Sequence, residues 1–163
     1  IRKFVAMLKT SKNPSEHKLI KNLGPEPLGN NFNGGYLFKK SRKKSLPIKN
    51  FIMDSKIVVG VGNIYANEAL FMAGIRPTKK SGLISKVKFE ELSHAIVITL
   101  KEAIEAGGTT LKDYTNAEEA PGYFKKELKV YDRGGENCIK CNKELKEIRQ
   151  ANRQTVYCSN CQN

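Results

Sequence analysis

Apolar positions along the 163-residue chain change period several times, and each change marks an element. The longest regular stretch is 88–106, where Phe89, Leu92, Ile96, Leu100 and Ile104 recur at helical spacing and Gly107-Gly108 supplies a C-cap. His94 lies on this helix and reads as a packing or surface residue rather than a ligand. Upstream, the run Ile57-Val58-Val59-Gly60-Val61-Gly62-Asn63-Ile64-Tyr65 leads into a helix through Ala73, which Gly74 and Pro77 end. Pro47 suits the first position of a short helix over 48–53, and Asn33 suits the cap of another that carries Tyr36, Leu37 and Lys39-Lys40. Ser15 can cap a first helix through Leu23, stopped by Gly24-Pro25-Glu26-Pro27. Residues 1–8 read as an extended, partly buried segment, 109–121 as a polar loop and 126–131 as a short strand. Near the end, 144–149 and 155–157 read as the strands of a hairpin, with Gln150-Ala151-Asn152-Arg153 at its tip.

That hairpin is flanked by Cys138-x-x-Cys141 and Cys158-x-x-Cys161. Each pair makes a tight turn that aims two sulfurs at one point, and four thiolates close a tetrahedral zinc site with no open position. The expected cofactor is therefore one structural zinc ion. Two disulfides in a secreted module are the competing reading; the chain shows no signal peptide and confines all four cysteines to its last 26 residues. A segment this short cannot build a sufficient core, so the metal is expected to supply its folding energy.

Charge narrows the partner. The chain carries 29 Lys and Arg against 16 Asp and Glu, a net charge of +13, which favours a polyanion and first of all nucleic acid. No stretch reaches the roughly eighteen apolar residues of a membrane span. The two glycines of Gly60-Val61-Gly62-Asn63 let the backbone turn tightly into a helix whose N-terminus suits a phosphate oxygen. Tyr65 stands where a dinucleotide fingerprint has its third glycine, and by itself the segment reads equally as a plain helix-entry turn. Opening on Ile1-Arg2-Lys3-Phe4, without Met and in mid-pattern, the chain reads as a fragment.

Four segments occur in order: Leu23-Gly24-Pro25-Glu26-Pro27-Leu28, Val59-Gly60-Val61-Gly62-Asn63-Ile64-Tyr65-Ala66-Asn67-Glu68, Gly107-Gly108-Thr109-Thr110-Leu111 and Cys158-x-x-Cys161-Gln162. With them the chain resembles the formamidopyrimidine-DNA glycosylase family over nearly its whole length. The resemblance implies a mainly α fold, a helix-two-turn-helix domain followed by a small β-hairpin zinc finger. Residues 1–14 would be the end of an N-terminal domain or linker, 15–130 the helix-two-turn-helix domain and 131–163 the four-cysteine finger. The family removes oxidised purines such as 8-oxoguanine and formamidopyrimidines from DNA and cleaves the abasic strand by β,δ-elimination. The parent would thus be a base-excision-repair DNA glycosylase and abasic-site lyase. It would be a bacterial, cytoplasmic monomer, at the nucleoid through its double-stranded DNA partner. The family's proline nucleophile, followed by a catalytic glutamate within Pro-Glu-Leu-Pro, has no match here, so the fragment alone is expected to be inactive.

By the same resemblance Asn63, Lys49, Lys44 and Tyr131 contact phosphates around the lesion. Arg153 grips the flanking phosphates from the finger's tip and serves δ-elimination. Arg2 and Phe4 match the arginine and phenylalanine that enter the gap left by the everted base, and 109–123 matches the lesion-capping loop. Two other readings stand beside this one. One is an endonuclease VIII-type glycosylase for oxidised pyrimidines; the other is a non-enzymatic zinc-ribbon module that binds nucleic acid.

Overall fold

The computed structural model describes His17, residues 20–107 and residues 128–163. Among them lie helices α1 (Gly34–Ser41), α2 (Ile48–Ile52), α3 (Asn63–Met72) and α4 (Lys86–Glu105), then strands β1 (Lys146–Gln150) and β2 (Arg153–Tyr157). The mainly helical fold with a terminal hairpin is the one expected from the sequence. Arg2, Phe4 and the 109–123 loop lie outside the described residues.

Local chemistry sets the helix starts. Asn33 caps α1 by accepting the Tyr36 N–H at 2.8 Å, as its position predicts. Pro47 is the N-cap of α2 rather than its first helical residue; its backbone is extended, and its carbonyl accepts the Phe51 N–H. Helix α4 begins at Lys86, two residues before the expected start, because Ser85 caps it by accepting from Lys88 N. The apolar stripe of α4 also differs at its end, because Ile104 is 64% exposed and Ala103 is buried in its place. Each four-residue step advances a helical face by about 40°, so three in succession from Leu92 carry Ile104 about 120° out of the stripe. His94 sits on the exposed face. The helix expected through Leu23 finishes, in its described part, as successive turns closing on His17 and Ile20.

Leu37, Ile48, Phe51, Ile52, Leu70, Phe89, Leu92 and Ile96 form the main core, with α4 packed against both α1 and α3. Phe89 is stacked edge-on by Phe38 and Phe51, with ring centroids 6.3 and 6.2 Å apart. Gly24 lies so close to the Ile57 carbonyl that any side chain would collide with backbone there, and Gly24 N and Pro25 O bond Ser55 and Val59. This seats the Gly-Pro-Glu-Pro strip along the α2–α3 connection.

A second, smaller core joins Phe71 of α3 to Val130, Leu145, Val156, Cys138 and Cys158. β1 and β2 pair antiparallel, Lys146 with Tyr157 through Gln150 with Arg153. Arg153 is therefore the first residue of β2, and the turn proper is Ala151-Asn152, with φ of 48° and 60°. Two positive φ values match the right-handed strand twist as a type I′ turn, here without the usual glycine. The strand expected over 126–131 is absent from its described part, 128–131. The N–H groups of Lys129, Val130 and Tyr131 go to a side chain, not to a partner strand.

Candidate nucleic-acid interface and four-cysteine centre

Helix α3 organises the site because it is buried on several sides yet carries two adjacent polar residues, Asn67 and Glu68, almost fully inside. Burying an amide or a carboxylate is costly unless its hydrogen bonds are met. Asn67 donates to the Asn63 carbonyl at 2.7 Å and accepts the Val156 N–H of β2 at 2.9 Å. Glu68 accepts three successive backbone N–H groups, from Lys129, Val130 and Tyr131, at 2.8–2.9 Å. One helix thus fixes both the hairpin and the segment that delivers Tyr131.

At the start of α3, Gly60 has φ +80°, a left-handed conformation that suits glycine, and a Cβ at Gly62 would meet open space. No side chain caps this helix and no acid stands in its first turn. Its first N–H groups lack intrahelical acceptors and carry the positive end of the dipole. The half-buried Asn63 keeps its Oδ1 without a partner among the described residues. Tyr131 packs beside this turn, against the cluster of Ile64, Ala103 and Leu128. Asn63 and Tyr131 are therefore brought together.

Arg153 is exposed at the hairpin tip and lines a cleft of about 200 Å³ with Lys49, Asn50, Met53, Asp54, Gln150 and Ala151. Lys49, read from the sequence as a phosphate contact, is 1% exposed. Its Nζ donates to the Gln154 carbonyl at 2.7 Å and to Thr155 Oγ1 at 2.6 Å. Burial, then the charge of Arg153, lowers its pKa to about 8. Between about 8 and the ordinary 10.5 the unfolded chain holds more protons, so this group makes stability rise with pH across that window. In Lys49→Met, the difference in unfolding free energy from the parent should change with pH between about 8 and 10 and be flat below; urea melts at several pH values measure it. A constant difference across the same range would contradict the buried ammonium. Lys44 stands apart and exposed, its backbone bonded to Ser41 and Gly82 rather than to α3 or the hairpin.

The four cysteine sulfurs all lie within 4.8 Å of one another; Cys141 and Cys158 are 3.5 Å apart, Cys138 and Cys161 4.0 Å. Zinc–sulfur bonds of about 2.3 Å in a tetrahedron require sulfur separations of about 3.8 Å, so the donor set fits a metal ion. Among the four crowded thiols the Lys143 backbone N–H lowers the Cys141 pKa to about 6, while burial and the neighbouring sulfurs push Cys161 up to about 12. Gln162, fully buried, secures the second knuckle: its Oε1 accepts Cys158 N and its Nε2 donates to the Ile75 carbonyl, both at 2.9 Å. Arg76 adds bonds to the Ser159 and Gln162 carbonyls.

In the sequence Asn67, Glu68 and Gln162 stand only as members of the family-like segments and Gln150 only in the hairpin tip, and neither they nor Asn50 carry a sign of these hydrogen bonds. The usable signal is a polar pair inside an apolar helix, Ala66-Asn67-Glu68-Ala69-Leu70-Phe71.

Fold and site together define a helix-two-turn-helix domain that carries a four-cysteine hairpin. A family model of the Formamidopyrimidine-DNA glycosylase H2TH domain matches residues 23–115, more than half of the chain, and the chain belongs to that family. It is 56% identical to the formamidopyrimidine-DNA glycosylase of Marinomonas sp. (strain MWYL1) over 161 residues, 99% of this chain and 59% of that protein. Among solved structures, the MutM (Fpg) protein of Thermus thermophilus superposes with a TM-score of 0.86 at 34% identity, over 93% of this chain and 58% of that one. Lactococcus lactis Fpg in complex with DNA containing an abasic site gives 0.81 at 34% identity, over 89% and 53%. The chain spans about three fifths of the length of the curated relatives it matches.

Proposed function

We propose that this chain is the DNA-gripping part of a bifunctional DNA glycosylase and abasic-site lyase of base excision repair, acting on oxidised purines. The observation that carries this reading is the convergence on α3 of three anion-seeking features. These are its uncapped N-terminus with Asn63, Tyr131 delivered by Glu68, and the Arg153 hairpin fastened through Asn67. Three such points can clamp the backbone on both sides of an everted nucleotide and offset the few kcal/mol that eversion costs. Lys44 adds charge further along the surface, and Arg2 and Phe4 are the candidates for filling the gap in the stack. The four cysteines hold one zinc ion, which closes the finger and takes no part in chemistry. No described helix is long and apolar enough to cross a membrane, and we place the protein in the bacterial cytoplasm, on nucleoid DNA.

Arg153→Ala tests the grip. It should lower affinity for a duplex with a stable abasic analogue and reduce the log–log salt slope by about 0.9, one phosphate's worth. Because the side chain is exposed, folding stability should move by no more than about 0.5 kcal/mol. Unchanged affinity, or a large fall in melting temperature, would assign Arg153 a structural role instead.

A further inference from the structure

Cys158 directly follows β2, so the metal cluster braces the base of the hairpin. Arg153 stands five residues away, roughly 17 Å along an extended strand, and a two-stranded hairpin is only marginally stable by itself. The Ala151-Asn152 turn is exposed. Something other than the metal must hold the tip in place, and adjacent residues of α2 do so on both strands. On β2, Lys49 Nζ bonds the carbonyl of Gln154, which follows Arg153, and the hydroxyl of Thr155; that hydroxyl in turn reaches the Arg153 carbonyl at 3.4 Å. On β1, Gln150, the cross-strand partner of Arg153, donates its Nε2 to Asn50 Oδ1 at 2.7 Å and to the Pro77 carbonyl at 3.3 Å.

We propose that Lys49 and Asn50 are positioning residues for Arg153. They register the hairpin tip against the helical domain, so that the guanidinium is fixed relative to Asn63 and Tyr131 before DNA arrives. The proposal rests on Arg153 being a DNA contact, and it gives Lys49 a different task from the phosphate contact read from the sequence. A buried ammonium beside a second cation is a poor choice for stability alone. It is a good choice for geometry, since its donors satisfy the backbone and the hydroxyl on either side of one bond of the chain.

A double-mutant cycle on the zinc-loaded chain tests this with an abasic-analogue duplex as probe. Lys49→Met and Asn50→Ala should each weaken binding about tenfold in the parent and less than about twofold when Arg153 is already alanine, because they act through it. ¹⁵N relaxation without DNA should show increased nanosecond motion at Ala151, Asn152 and Arg153 in both variants. Additive losses, with Lys49→Met lowering the salt slope by about 0.9, would make Lys49 an independent phosphate contact and overturn the proposal. If Arg153→Ala leaves binding unchanged, the DNA reading of Arg153 fails by itself. The relaxation data then decide: a tip as rigid as the parent's in both variants overturns positioning, and a loosened one sustains it. Asn50→Ala removes no charge and leaves Lys49 in place, so the test survives a poorly folded Lys49→Met.

Discussion

Chelating the metal from the zinc-loaded chain should unfold residues 136–163, while α1 and α4 should keep their amide protection. The finger's core consists of Leu145, Val156, Cys138 and Cys158, closed by Phe71 and Val130, too little apolar surface to offset ordering nearly thirty residues. Structural zinc sites supply about 10–16 kcal/mol of apparent binding free energy at neutral pH, far more than this core can replace. Without the ion, four sulfurs crowded within 4.8 Å lose what draws them together. The main core is built without finger residues, which is why the helices persist. The end of α3 should loosen, since Phe71 is covered by the finger and Lys140 lies over its ring at 4.7 Å. Hydrogen exchange before and after chelation reads both parts. Hairpin amides that stay protected without metal would contradict this.

Glu68→Ala is the single substitution expected to do most damage inside the helical part. It leaves three buried or half-buried N–H groups without an acceptor, and each orphaned donor costs about 1–3 kcal/mol. A loss of about 4 kcal/mol or more is expected in urea melts, together with release of the 128–131 segment and Tyr131. Glu68→Gln should fall between. Its remaining oxygen can serve Val130 and Tyr131, which share Oε1, while its NH₂ would face the Lys129 N–H, donor against donor. A change below about 1 kcal/mol in Glu68→Ala would mean that the segment is held by something else.

Those buried polar residues also mark where sequence reading ends. Helical period, the Asn33 cap and the glycine-rich entry to α3 are local features, and each is legible because a local rule governs it. The cysteine pairs are legible because a tetrahedral metal site imposes its own spacing. Glu68 is silent: a carboxylate on a helix ordinarily faces water, and only the arrival of 129–131 from about sixty residues away makes it an anchor. The same long-range effect replaces the expected strand over 126–131 with three bonds to one side chain. Lys49 shows the limit from the other side: the resemblance makes it a phosphate contact, and only the hairpin folded over it shows its ammonium buried and bonded to the chain. At the tip, Ala151-Asn152 lacks the glycine that signals a type I′ turn, so the sequence points to a four-residue tip where the structure has two.

Under the proposed function, α3 assembles a grip for damaged DNA. The most direct measurement is the affinity of the zinc-loaded chain for duplex DNA across a salt series, with a stable abasic analogue opposite cytosine compared with undamaged duplex. Tighter binding to the damaged duplex is expected, with a log–log slope of about −0.9 for each phosphate neutralised. Equal, salt-sensitive binding to both duplexes would contradict it, reducing the chain to a basic zinc module without damage recognition.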